Sequence, residues 1–479
     1  MKKSTLILLA ALFTANLSAE ERVVTSVAGD AETEGGFRFE MKALQSGDVL
    51  TFNIPDGDEI MLEGSSGLSD GEGKVFVIDG INKATGNRIT FTSNGDNFPF
   101  FSGLGSNAHL MDVTFRNIIV TNFNYAGNGA GFKLGNSKLD GDPSDPSRFA
   151  TLRLENVEIS NCAVTGASNS GGALFNGRGV NVIADKCLFA NNSSDESANG
   201  NSKGGGAIST TGSGGSFLFT NCTFVGNSAA AGRGGAIYSG MDCTMINCTV
   251  AGNTAFVGGG FYAHSAKQYT LINSIFYKNI ELNDAETSAD IRRGNGSGVF
   301  AIYNCLAGTD AVTAALVTDF ESNGNSLIMS GMKVFENDDV LELKDNGGKT
   351  LTLALHATQS MAAKTGTATA PAGIDVTIPT VDQRGYTRAA KPCMGAFELG
   401  GIEPVGIQTA TADAKFNYSV EKGRLVIAES GECRIFNTLG AKITELTING
   451  SAPINLESGI YIVRFMNEAG TSVAKVLIP

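Results

Sequence analysis

The chain has no tryptophan, only three histidines, and just 17% charged residues over 479 positions. Those histidines, His109, His264 and His356, lie far apart and form no metal-ligand motif, so they read as solvated or structural residues. No Cys-x-x-Cys occurs, which argues against a structural zinc site. Basic residues are also in deficit: 35 Lys and Arg face 48 Asp and Glu, for a formal net charge of −13. A phosphate backbone needs a basic face, so nucleic acid is excluded as the natural partner. What is abundant is glycine, with 61 residues, about one in eight and well above the usual ~7%. No strict Gly-X-Y period accompanies it, so this is not collagen. A hydrophobic fraction of 42% supplies a large core and argues against global disorder. Much glycine, little charge and many Asn, Ser and Thr together predict short strands joined by tight turns.

The first residues stand apart. Met1-Lys2-Lys3 is a basic start, an apolar run follows from Leu6 to Phe13, and Leu17-Ser18-Ala19 precedes two glutamates. This is the layout of a secretory signal peptide over residues 1–19, with cleavage expected after Ala19. The apolar run is well short of the ~20 residues that span a bilayer. No later run is long enough for a membrane helix, so no transmembrane segment is expected in the mature chain.

A repeat fills the middle. Asn221-Cys222-Thr223-Phe224-Val225-Gly226-Asn227 returns as Asn247-Cys248-Thr249-Val250-Ala251-Gly252-Asn253 and as Asn273-Ser274-Ile275-Phe276-Tyr277-Lys278-Asn279. Further copies start at Lys186 and Asn304. A second string follows, beginning Gly171-Gly172, Gly205-Gly206, Gly234-Gly235 and Gly258-Gly259. The apolar pieces are too short and glycine-rich for helices. In an extended strand Cys222 and Phe224 share one face and Thr223 and Val225 the other. A period near 26 residues with variable insertions fits one turn of a parallel β-solenoid whose coils stack in register ~4.8 Å apart. Val157, Cys187, Cys222, Cys248, Ser274 and Cys305 then form one inward column. Ile208, Ile237 and Phe261 form another. Asn227, Asn253 and Asn279 stack as a polar ladder. Gly171, Gly205, Gly234 and Gly258 mark turns that need a sharp bend or positive φ. The expected fold is all-β: a right-handed parallel β-helix over residues 20–400, followed by a small β-sandwich over 401–479.

The pairing of Gly-Gly-Ala-Ile with Phe-x-x-Asn, as in Gly234–Ile237 with Phe224–Asn227, resembles the polymorphic outer-membrane protein repeat. That resemblance covers roughly residues 110–310 and implies a β-helix displayed on a bacterial surface, in several cases as an adhesin. The C-terminal transmembrane barrel of that family is not expected in this sequence. Before the repeat, short strand-like pieces at Val49–Ile54, Glu59–Leu62, Val75–Ile78 and Ile89–Phe91 continue the pattern, and Phe39–Leu44 reads as a capping helix. After it, Asn346-Gly347-Gly348, Asp382-Gln383-Arg384-Gly385 and Gly395-Ala396-Phe397-Glu398 resemble the closing segment of secreted choice-of-anchor Q β-helix proteins. Residues 340–398 are therefore expected to close the far end of the solenoid.

Beyond the linker Gly400–Pro404 the glycine pairs stop, and six or seven short strands suggest the sandwich. Leu439-Gly440, the run Gly459-Ile460-Tyr461-Ile462-Val463 and Lys475-Val476-Leu477-Ile478 resemble the Ig-like C-terminal sorting domain of the type IX secretion system of Bacteroidetes. The resemblance implies export by the type IX machinery, removal of the domain and attachment to surface lipopolysaccharide.

Of eight cysteines, five fall on repeat strands; mostly free thiols are expected, although neighbours in a column are spaced for bridging, and Cys243 and Cys248 share a coil. A search for chemistry finds Asp140–Asp145, which could hold Ca²⁺, and Asp290-Ile291-Arg292-Arg293, which could meet an acidic sugar. Both read more simply as polar loops between coils. Neither a cofactor nor a catalytic residue is expected. The chain reads as an exported cell-surface binding module of adhesin type, with surface glycans or host proteins as ligands, met by loops at 135–150, 192–204 and 281–298. The alternative is a polysaccharide lyase or glycoside hydrolase on the same scaffold.

Overall fold

In the computed structural model, the described residues are 20–403 and 418–478. Excepted are 69–72, 96, 105–109, 136–144, 167–168, 195–203, 211–213, 284–289, 295–297, 309–322 and 329–330, and 422–423, 438–441, 454–455, 457–458 and 468–469. The signal segment, Gly440 and most of the three loops named above lie outside them. The chain divides into two units, residues 1–401 and 402–479.

The first unit is a parallel β-helix. Two sheets of ten strands, one of seven and one of six run its length, each built from strands contributed by successive coils. One coil shows the plan. Gly215–Thr220 belongs to the first sheet, Thr223–Val225 to the second, Ser228–Arg233 to the third and Ile237–Ser239 to the fourth. The corners are set by residues that accept a left-handed backbone. Asn221 (φ 51°) turns the chain from first to second sheet, Gly226 (66°) from second to third, and Gly234 (70°) from third to fourth. Asn156, Asn247, Asn273 and Asn304 repeat the first corner, and Gly171, Gly205 and Gly258 the third, all at positive φ. The second glycine of each pair has a different reason. A Cβ on Gly206 would lie 2.3 Å from the Gly235 carbonyl oxygen, and one on Gly235 would lie 2.3 Å from that of Gly259. The coils approach too closely there for any side chain.

Strands alternate between core and outside, and the inward residues stack. Cys187, Cys222, Cys248, Ser274 and Cys305 are all fully buried. Each backbone link is in register: Thr223 N donates to Cys187 O, Thr249 N to Cys222 O, and Ile275 N to Cys248 O. Ile208, Ile237 and Phe261 stack in the fourth sheet. At the start, the helix α1 (Phe37–Ala43) buries Phe37 and Met41 against Phe52, Phe91 and Phe100. The described cysteines are all unbridged, Cys243 and Cys248 included.

Residues 333–399 run along the outer flank of the second sheet, where Val334, Phe335, Leu353, Leu355, Met394 and Phe397 pack on Leu188, Val225, Ala251, Ile275 and Leu306. The physical reason is the apolar character of both faces of these strands. Thr223-Phe224-Val225 and Thr249-Val250-Ala251 are buried at every position, inward and outward alike. An apolar outer face left in water would cost about 1.5–3 kcal/mol for each large side chain. The strap covers it.

In the second unit one antiparallel sheet of five strands is described: Tyr418–Glu421, Arg424–Asn437, Lys442–Pro453, Gly459–Asn467 and Gly470–Ile478. Arg424–Asn437 is longer than the short strands expected here, a single strand of 14 residues. Leu425, Ile427, Cys433, Ile435, Ile448, Val463 and Phe465 form its core. Gly459 lies opposite Ile478, Tyr461 opposite Val476, and Lys475 opposite Ile462.

Candidate binding groove

Two polar networks stand out in the first unit, one inside the solenoid and one where the strap docks on it. One is an asparagine ladder. Asn192 Nδ2 donates to Asn227 Oδ1 at 3.0 Å, Asn227 to Asn253 at 2.8 Å, Asn253 to Asn279 at 2.9 Å and Asn279 to Asp290 at 2.6 Å. Each Oδ1 also accepts the backbone N–H of the rung before, and each Nδ2 reaches a backbone carbonyl, so every amide is fully used while buried. Asp290 ends the ladder, with Gly308 N on its second oxygen at 2.9 Å. Burial raises its carboxyl from 3.8 to about 6, against the lowering effect of those bonds. Asp290 is thus the internal terminus of the ladder, and Ile291–Arg293 after it forms a strand of the fourth sheet. Arg292 of the same string pairs with buried Glu281 at 3.5 Å. Of the acidic string Asp140–Asp145, residues 140–144 lie outside the described residues.

The second structure docks the strap. Gln383 bridges two segments: its Oε1 accepts from Thr223 Oγ1 at 2.6 Å, and its Nε2 donates to Thr350 Oγ1 at 2.9 Å. Arg388 is buried, donating to Asn221 Oδ1 at 3.1 Å, to the Gly395 carbonyl at 2.9 Å and to Glu398 Oε2 at 3.3 Å. Asp382 holds Arg384 at 2.7 Å and accepts the Glu398 N–H. The Arg384 guanidinium lies between the Tyr386 and Phe397 rings, 4.2 and 3.8 Å from their centroids. The three sequence blocks seen in this segment are therefore the parts that meet one another and clamp to coil corners.

Where the strap turns past the edge of the second sheet, residues 375–381 lie over the outer face of the first sheet and leave a groove of about 730 Å³. This volume falls within the usual range for ligand clefts. Leu218, Ile246 and Ile378 form its apolar floor, Ser216, Asp242 and Thr244 stand on the sheet wall, and Asp375, Thr377 and Thr380 stand on the strap wall. Asp185 closes one end. It is heavily engaged, accepting from Thr220 Oγ1 at 2.9 Å and Asn221 Nδ2 at 3.0 Å, with Lys186 at 3.1 Å. No Lys or Arg is among the described residues that line the groove. Sequence reasoning missed this site. The signal was present in Leu218, Ile246 and Ile272, apolar residues at outward positions of the first sheet, two of them fully buried beneath Ile378.

The other candidates do not come together. His264 stacks on Tyr238 at 4.9 Å. The His356 ring accepts from Thr358 N and Gln359 N as a turn cap, and His109 lies outside the described residues. Among the described residues no cluster of His, Cys, Asp or Glu is arranged to hold a metal. Burial raises the thiol of Cys305 to about 12 and that of Cys222 well above its usual value, so both pack in the column as inert apolar groups; Cys162, beside the asparagine ladder, is also raised to about 12.

Comparison with known families, curated proteins and solved structures finds no match. The site therefore stands on this chain's own geometry. No helix among the described residues is long and apolar enough to cross a membrane.

Proposed function

We propose that the protein is an exported cell-surface β-helix that acts as an adhesin-like binding module. The observation that carries this reading is the groove: a preformed cleft with an apolar floor and polar walls, held open between a rigid stacked sheet and a strap anchored by buried polar staples. Of the carboxylates that line the groove, Asp185 is engaged by Thr220, Asn221 and Lys186 and belongs to the scaffold. The signal-like residues 1–19 and the resemblance of residues 401–479 to a type IX sorting domain support export, with the type IX machinery as the partner in delivery.

Export is tested by mass spectrometry of protein extracted from the cell surface. The expected product begins after Ala19 and ends near residue 400. A surface form with its C-terminal unit intact would remove the sorting role. Binding is tested by adhesion of cells carrying Thr244→Arg, which fills the groove from an outward position. Adhesion should fall while surface display is unchanged.

A further inference from the structure

We propose that the groove takes a hydroxyl-rich, non-anionic glycan. The proposal rests on the binding-module reading and names the ligand class of the same site. The argument is one of hydrogen-bond polarity. Ser216 has committed its proton to Asn181 Oδ1 at 3.0 Å, and Thr220 has committed its own to Asp185 at 2.9 Å, so both turn lone pairs outward. Asp242 uses one oxygen for the Gln268 N–H at 2.9 Å and leaves the other free. Asp375 is exposed and, among the described residues, nothing ties it to the chain. The walls thus present acceptors, and a carboxylate cannot donate. A ligand must bring donors. Sugar hydroxyls do so, and an amino sugar does so with added charge. A uronate or sulfate would place its anion against Asp242 and Asp375, with no lining cation to offset the repulsion. Outward rungs repeat at the coil rise of ~4.8 Å, and hydroxyls on Thr244, Thr377 and Thr380 can adapt as donor or acceptor to successive rings. The apolar floor suits the C–H face of a pyranose.

The test is calorimetric titration of the full chain with three probe sets: neutral hexose oligosaccharides, chitosan oligomers and oligogalacturonate. The neutral and chitosan sets should bind, and oligogalacturonate should be weaker by roughly tenfold or more. Thr244→Arg should abolish binding with an unchanged circular dichroism spectrum. Asp375→Lys should weaken chitosan roughly tenfold while narrowing the gap to oligogalacturonate, a charge-specific readout that a structural role would not move. Tightest binding of oligogalacturonate, lost in Thr244→Arg, would overturn the ligand class and leave the groove as the binding site. Glycan binding that Thr244→Arg does not touch, or no binding by any set, would overturn the groove reading itself.

Discussion

The second sheet has two outer flanks with the same inward pattern and opposite fates. In the early coils the outward positions are Glu59, Met61, Thr90, Thr92, Ile119, Thr121, Glu158 and Ser160, a partly wet face on which Thr92 bonds Glu59, Ser160 bonds Thr121 and Glu158, and Glu158 pairs with Arg88. From Leu188 onward the outward positions are Leu188, Thr223, Val225, Thr249, Ala251, Ile275 and Leu306, and the strap buries all of them. The inward residues hardly change: Ile60, Phe91 and Val120 on one stretch, Phe189, Phe224 and Val250 on the other, each fully buried. A solenoid core therefore needs only one face of each strand. The second face decides whether the coil meets water or another segment of chain.

That contrast can be broken at several points. The largest effect should come from the buried staple. Arg388→Met leaves buried Glu398 without its cationic partner, and urea unfolding should lose about 3–5 kcal/mol. A smaller effect comes from the last covered coil, where Asp290 bonds Gly308. Its folded carboxyl titrates near 6 against a usual 3.8, so the folded state holds the proton more tightly than the unfolded chain. Stability is then greatest below the unfolded value and falls as pH rises through about 6. Asp290→Asn removes this penalty. Relative to wild type, the variant should gain about 2 kcal/mol between pH 4 and pH 7, a difference in which any fixed cost of the new amide cancels. No change in that difference with pH would mean that the ladder end is solvated. The smallest effect belongs to the open flank. Glu158→Gln weakens a pair with Arg88 in which both side chains keep some contact with solvent, and should cost under about 1 kcal/mol. A loss as large as that of Arg388→Met would mean that the early flank is also covered.

The sequence made much of this legible. Short strings recurring every 26 residues give the coil, Gly171 and its counterparts give the corners, and Asn227, Asn253 and Asn279 give the ladder, because a stacked fold repeats its local physics at each turn. Helix α1 and the early strands also stand within a few residues of their expected places. What the sequence hid is the strap and the groove beneath it. Residues 333–399 have almost no regular strand, so no period marks where they go. Their contacts are single staples such as Thr223 to Gln383, 160 residues apart. The fused 14-residue strand of the C-terminal unit was hidden for a related reason: Glu429-Ser430-Gly431-Glu432 reads as a turn, yet pairing with Lys442–Pro453 carries the strand through it.

The account depends most on the strap lying along the flank, because that placement both buries the second sheet's outer face and builds one wall of the groove. A double-mutant cycle on Thr223→Val and Gln383→Leu, read by urea unfolding, tests it directly. The hydroxyl and amide meet in a buried site at 2.6 Å, so the cycle should give a coupling of about 1 kcal/mol or more. Strictly additive losses would contradict the placement of the strap and, with it, the groove.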